Sequence, residues 1–240
     1  MHELSHRSKN LLAIVLSVAN QIARQSDSVD MFLLGFRSRL RALADTHDLL
    51  VEGNWRGAAL RDLARAQLAP FCNLAEQSLS IDGPHLTLSP KASEQLGLAL
   101  HELGTNAAKH GALSAPSGVV SVRWLLEGAK NQDRYLRLSW EERGGPPVQE
   151  PQRHGFGRMV IANIVPASLD GTAALAFDVD GVKWTLLVPA ANVLADGEDA
   201  RIDEDETGAM RPDDTDSKRL HRPQQSAPVA DATSAAVSAG

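Results

Sequence analysis

Glu102, Asn106 and Lys109 bring a carboxylate, an amide and a cation together in the stretch His101 to Gly111. At about 100° per residue the three share a narrow arc of a helix, while Leu96, Leu100, Leu103 and Ala107 gather roughly 120° away. Such a helix has a core side and a chemical side. A carboxylate and an amide oxygen one turn apart can hold Mg²⁺ and its waters, a hard-cation site that substrate phosphates complete. Lys109 then stands where it would meet those phosphates, with His110 next to it at the helix end. Taken alone the segment also fits an ordinary amphipathic helix with a solvated polar face, so the decision falls to other parts of the chain.

Three further groups of residues have chemistry to offer. Near the start, His6 and Asn10 lie one turn apart within Glu3-Leu4-Ser5-His6-Arg7-Ser8-Lys9-Asn10, roughly 160° to 240° from the apolar seam of that helix. A phosphate-accepting imidazole has to present a neutral nitrogen to phosphorus, and an outward histidine meets that condition. Glu142, in Trp140-Glu141-Glu142-Arg143-Gly144-Gly145-Pro146, shares strand parity with Leu136, Leu138 and Trp140, so either its carboxylate faces inward and needs a partner or the strand has ended and it is solvated. An adenine amino group is a suitable donor, and Gly144 and Gly145 permit close backbone approach to the base. Gly155-Phe156-Gly157 opens a helix whose N–H groups phosphate oxygens can use; simple turn glycines would explain it about as well.

In this order the segments resemble the HWE family of sensor histidine kinases, named for a histidine and a Trp-x-Glu motif matched here by His101 and by Trp140 with Glu142. The resemblance covers roughly residues 1 to 190 and rests on several separated motifs. It implies that His6 is the phosphoacceptor, with Asn10 and Glu102 assisting. It also implies that Asn106, Lys109, His110, Glu142, Gly144, Gly145, Gly155, Phe156 and Gly157 bind ATP, and that Asn106 and Glu102 hold Mg²⁺. Glu142 would read adenine where related kinases use an aspartate. The phosphoryl group would pass to the receiver domain of a response regulator.

The elements that must position these residues follow from periodicity. Apolar residues at Leu4, Leu11, Val15, Val18 and Ile22, with a neighbouring stripe of Leu12, Leu16, Ala19 and Ala23, predict a first helix with a wide apolar face. Ser26-Asp27-Ser28 offers caps for a second, on which Phe36, Leu40, Leu43, His47 and Leu50 line up. His47, on that stripe, reads as a packed rather than a reactive histidine. Two helices cannot close a core alone, so an antiparallel hairpin over residues 1–52, dimerising into a four-helix bundle, is expected. After a hinge at 51–57, residues 53–192 predict an α/β domain. It runs as a helix from about Ala58 to Ala69, a strand pair Leu79-Ser80-Ile81 and Leu86-Thr87-Leu88, then the Ser89-Pro90 helix stopped by Gly111. Two alternating strands, a short lid over 146–154, a helix from Gly155 and a hairpin around Asp180-Gly181 complete it. The fold class is α+β, with a GHKL-type α/β sandwich following the helical hairpin.

Composition removes other classes. The net charge of −6 resides in residues 196–240, which hold 11 acids and 5 bases, so the body is neutral and offers no electrostatic case for nucleic acid. Residues 193–240 have too little apolar surface to offset their ordering entropy and are expected to be a disordered acidic tail. The lone Cys72 excludes an internal disulfide framework. The most apolar run, Leu11 to Ala19, falls well short of the roughly 20 residues a membrane span requires. A bacterial cytoplasmic homodimer is therefore expected. Met1 stands only five residues before His6, which leaves either a longer reading frame or a separate sensor protein to supply the signal. Two rivals share parts of the pattern: a phosphotransfer or scaffold protein without ATP turnover, and an ATPase or serine kinase of the anti-sigma type.

Overall fold

Ser28 begins the first long helix by accepting the Met31 N–H on its side chain, and α1 runs Val29–Glu52. In the computed structural model the described residues are 28–72, 78–128, 133–148 and 155–198, with positions 12, 15, 16, 19, 20, 22, 23 and 26 ahead of them. His6 and Asn10, the lid residues beyond 148 and the chain after 198 lie outside them. The helical residue Ile22 is buried against α1 near Gly35, and Val15 shares a small cavity with Phe36, Leu40 and Leu43, the order an antiparallel pair requires.

α1 buries Leu50 of the expected stripe and departs from it elsewhere. Its buried residues are Ala42, Thr46 and Leu50, while Leu40 is 43% exposed and His47 is half-buried with its ring edge-on to Trp55 at 4.6 Å. The periodicity was read for a helix facing only other helices; α1 also turns a face to the α/β domain. Thr46 Oγ1 lies where a Cβ on Gly97 would come within 2.5 Å, and Gln67 donates to both Ala42 O and Thr46 Oγ1. The chain then reverses through Asn54 and Trp55, both at positive φ.

The next elements are β1 (Ala58–Ala59), α2 (Leu60–Leu68), β2 (Leu79–Asp82), β3 (Thr87–Leu88) and α3 (Pro90–Lys109). They are followed by β4 (Val119–Glu127), β5 (Tyr135–Arg143), a helical run over 156–168 widened to a π-turn at Val160–Ile164, then β6 (Thr172–Asp178) and β7 (Gly181–Pro189). The sheet order is β2-β4-β5-β7-β6, with β2 parallel to β4 and the remaining pairs antiparallel. α2, α3 and the 156–168 run bury the face carrying Val120, Val122, Trp124, Leu136, Leu138, Trp140, Trp184, Leu186 and Val188. The opposite face is polar, with ion pairs such as Arg137–Glu127 and Lys183–Asp178, as an alternating antiparallel sheet with one solvated face requires. This is the α/β sandwich expected.

Three boundaries differ. The expected helix from Ala58 starts at Leu60, because Ala58 and Ala59 pair with Leu88 and Thr87. β2 and β3 do not form a hairpin: β2 joins β4 and β3 joins β1. Gly83 (φ +155°) turns the chain tightly under the Trp124 ring, where any Cβ would sit 2.5 Å from it, and Arg61 binds the Ile81 and Gly83 carbonyls. The domain also extends past 192. Val193 and Leu194 are buried, Leu194 bridges Leu88, and Glu198 (5% exposed) accepts the Thr87 N–H at 2.8 Å. The acidic composition of 196–240 hid this, because a single buried glutamate paired to an edge-strand amide reads as one more acid in a run.

Candidate nucleotide-binding site

α3 carries the site because its ends are well determined. Ser89 caps it by accepting the Ala92 N–H, Pro90 occupies the first turn, and His110 is its C-cap. The Gly111 N–H then returns to Asn106 O and Ala107 O, both at 3.1 Å. Gly111 also has a second role. A Cβ there would stand 2.0 Å from Glu142 Oε2, so its absence lets that carboxylate reach the Ala112 N–H at 2.8 Å.

Glu142 is 2% exposed, and its other oxygen, Oε1, accepts the Trp140 indole N–H at 3.0 Å. The inward parity read from the sequence is correct, and the partners are two N–H groups. Burial pushes this carboxyl above its ordinary value, while the Ala112 and Trp140 donors pull it back. The carboxylate forms one end of a cavity of about 530 Å³ whose lining includes Leu103, Asn106, His110, Pro147, Gly157 and Phe177. Leu175 and Phe177 on its wall were not singled out from the sequence. In a hairpin strand they read as ordinary sheet residues, and only closure of β6 and β7 over the helical run turns them inward.

A second cavity of about 480 Å³ shares Asn106, His110, Gly155 and Gly157 with the first and continues past Thr105, Lys109 and Glu102 to Arg39 and Ser26. Asn106, Lys109 and His110 are exposed along it. Glu102 is not: it is 2% exposed, which removes the alternative of a solvated polar face at this residue. α1 covers that part of α3, and Arg39 meets the carboxylate with Nη2 donating to Oε2 at 2.8 Å and Nε 2.7 Å from Oε1. Burial raises the Glu102 carboxyl, and the charges of Arg39 and then Lys109 oppose this. The neighbouring His101 places Nε2 2.7 Å from Ser38 Oγ and packs against Phe71. Burial, then Arg39 and Lys109, lowers its pKa to about 4, so it is neutral at physiological pH.

The glycines divide. Gly157 fits because a Cβ would come 2.8 Å from Glu102 Oε2 and 3.3 Å from Asn106 Nδ2, whereas Gly155, the N-cap, has open space around it. Phe156 is 5% exposed with the Arg39 guanidinium 4.1 Å above its ring, so it lines the second cavity from below Arg39 and not the first. Gly144 (φ +72°) and Gly145 do not line the first cavity. They let the turn after β5 pack on the backbone of Ser117 and Ala112, and they line a neighbouring opening with Lys183 and Asp178 that shares Glu142 and Pro147 with the first.

For a cation, Asn106 Oδ1 and the Glu102 carboxylate, already paired with Arg39, would be the nearby oxygens, and Gly157 leaves beside them the space that a Cβ would fill. That donor set suits Mg²⁺ shared with phosphates and does not make a self-sufficient protein cage; among the described residues no cluster of three or more His, Cys, Asp or Glu side chains could hold a metal.

The profile of the HWE histidine kinase family matches residues 3–85. Blue-light-activated histidine kinases of Brucella ovis and Brucella anthropi are 35% and 36% identical over 187 and 188 residues, 78% of this chain. The chain spans 38% of the length of each. In fold it is similar to the Erythrobacter litoralis EL346 blue-light activated histidine kinase, with TM-score 0.57 and 19% identity over 78% of this chain and 58% of that one. The histidine kinase domain of the same protein aligns with TM-score 0.50 and 15% identity over 75% of this chain and 95% of that domain.

Proposed function

The chain belongs to the HWE histidine kinase family, and we propose that it is an ATP-dependent protein-histidine kinase that phosphorylates its own His6 and serves a response regulator. The observation that carries this is the pair of adjoining cavities, with the buried Glu142 carboxylate lining the first, Asn106 and Gly157 lining both, and Lys109 lining the second. A nucleoside triphosphate has the same polarity: a base with an amino donor at one end and a chain of anionic oxygens at the other.

In this reading Glu142 accepts from the adenine amino group through a lone pair left free by Ala112 and Trp140. Phe177 and Leu175 give the base an apolar wall. Lys109 neutralises phosphate charge. Asn106 would offer an oxygen to Mg²⁺ directly and Glu102, whose Oε2 accepts from Arg39 Nη2 and whose Oε1 lies 2.7 Å from Arg39 Nε, would assist in holding it; the ion would supply positive charge against the charge that develops in transfer. The neutral imidazole of His6 attacks the γ-phosphorus in line, a phosphorus–nitrogen bond forms, the bond to the β-phosphate oxygen breaks, and ADP leaves. The phosphoryl group then moves to an aspartate of a receiver domain docked on the helical hairpin. Positioning and charge neutralisation supply most of the rate enhancement.

The exposed Leu12, Leu16, Leu34 and Leu40 suit a homodimer through the helices, with a sensor either upstream or on a separate chain. Among the described residues no helix is long and apolar enough to cross a membrane, which accords with a cytoplasmic site of action.

The test is labelling with γ-labelled ATP and Mg²⁺. Label that survives alkali and is lost in acid is phosphohistidine. His6→Gln should abolish it while leaving ATP affinity nearly unchanged. Acid-stable label would favour a serine kinase, and ADP release without label an ATPase.

A further inference from the structure

We propose that Arg39 is a positioning residue for the phosphate end of the nucleotide cleft: reaching from α1, its guanidinium itself fixes the Glu102 carboxylate beside Asn106 and Gly157. The proposal rests on the kinase reading above.

Three elements meet at this guanidinium. Its own helix holds it through Nη1, which donates to Gly35 O at 3.1 Å. Phe156 lies 4.1 Å beneath its plane, a distance at which an arginine gains from the face of an aromatic ring. Glu102 on α3 receives the ion pair, and the side chains are 14% and 3% exposed, so the pair is shielded from water on both partners. Behind Glu102, Gly157 leaves room for the carboxylate and for Asn106 together.

A surface ion pair would be worth little, but a shielded one with fixed geometry strongly favours a single arrangement, because removing one partner strands a buried charge. Among the described residues Arg39 is the cation that another element pairs with Glu102, and Lys109 on its own helix is exposed. The carboxylate would then turn toward water or toward the phosphates, which it repels. Arg39 thus does for Glu102 what a supporting hydrogen bond does for a metal-site carboxylate: it selects one orientation. It also explains why a residue of the helical hairpin lines the same cavity as Asn106 and Lys109.

The full chain should be compared with Arg39→Gln, Arg39→Lys and Thr46→Ala. Thr46→Ala loosens the α1–α3 seat at Gly97 without touching Glu102. Calorimetry would follow ADP affinity with and without Mg²⁺, alongside melting temperature and the kcat and KM of labelling. Arg39→Gln should lower kcat by about tenfold or more with a smaller change in KM, and shrink the gain in ADP affinity that Mg²⁺ confers. Arg39→Lys should recover part of both, and Thr46→Ala should lower the melting temperature and leave the Mg²⁺ gain intact. A full Mg²⁺ gain and full kcat in Arg39→Gln, with only a lower melting temperature, would make Arg39 a structural clamp and overturn the proposal. The same Mg²⁺ loss in Thr46→Ala would also overturn it, since loosening alone would then suffice. If Arg39→Gln does not fold, Arg39→Lys decides by the same readouts. If the unaltered chain neither binds ADP nor takes label, the kinase reading fails and carries this proposal with it, a result separable from failure in the Arg39 variants alone.

Discussion

The Trp140 indole N–H donates to Glu142 Oε1 at 3.0 Å, so the two signature residues of one strand form a single buried unit. Their i, i+2 spacing puts both on the inward face of β5, where Trp140 is 1% and Glu142 2% exposed. The indole shapes the wall and also holds one oxygen of the carboxylate, leaving Ala112 to hold the other.

Glu142→Gln should therefore do more than neutralise a charge. The amide has one acceptor oxygen for two fixed donors, so its NH₂ must face either Ala112 N–H or the indole N–H. Nucleotide affinity should fall by about tenfold or more, about 1.4 kcal/mol. Trp140→Phe should cost about 1–3 kcal/mol of stability by leaving a buried acceptor short of a partner. Calorimetric titration and thermal melts read the two effects, and an unchanged affinity in Glu142→Gln would remove Glu142 from recognition of the base.

Gly157 and Gly155 should behave oppositely on alanine substitution. Gly157→Ala places a methyl 2.8 Å from Glu102 Oε2 and should lower both the melting temperature and nucleotide affinity. Gly155→Ala meets open space and should leave the melting temperature unchanged. If nucleotide affinity is also unchanged in Gly155→Ala, the phosphates do not pack on that glycine.

His101 should make the protein acid-sensitive. Its folded pKa is depressed to about 4 from 6.5, so between these values the unfolded chain binds the extra proton and the fold does not. The contribution is fully present above 6.5 and is lost as pH falls toward about 4, by at most about 3 kcal/mol. Melts of the unaltered chain and His101→Gln across that range should converge in slope to a difference of one proton. Parallel curves would show that His101 titrates normally.

Truncation should distinguish residues after 198 from those before. Ending the chain after Glu198 should leave the melting temperature within error, since the remainder is polar and acidic. Ending it after Asn192 removes buried Val193 and Leu194 and the Glu198 contact to Thr87, and should cost several kcal/mol, on the order of 1.5–3 for each large apolar side chain. Equal melting temperatures for the two would show that this segment adds nothing to the core.

The inward Glu142, the capped helix from Pro90, the strands over 119–127 and 135–143 and the hairpin at Asp180-Gly181 were all legible in the sequence. Each depends on contacts or periodicities a few residues long: a capping serine, a proline at the first turn, alternation along a strand. What tertiary structure decided was which polar residues became partners. Glu102 reads as a metal-holding carboxylate with no protein partner until Arg39, 63 positions earlier, is laid across it. Glu198 reads as part of an acidic tail until Thr87, 111 positions earlier, presents an edge amide. β2 and β3 read as a hairpin until Gly83 folds beneath Trp124. The energy of a buried charge depends on what lies within a few ångströms of it in space, and a one-dimensional pattern records only what lies near it along the chain.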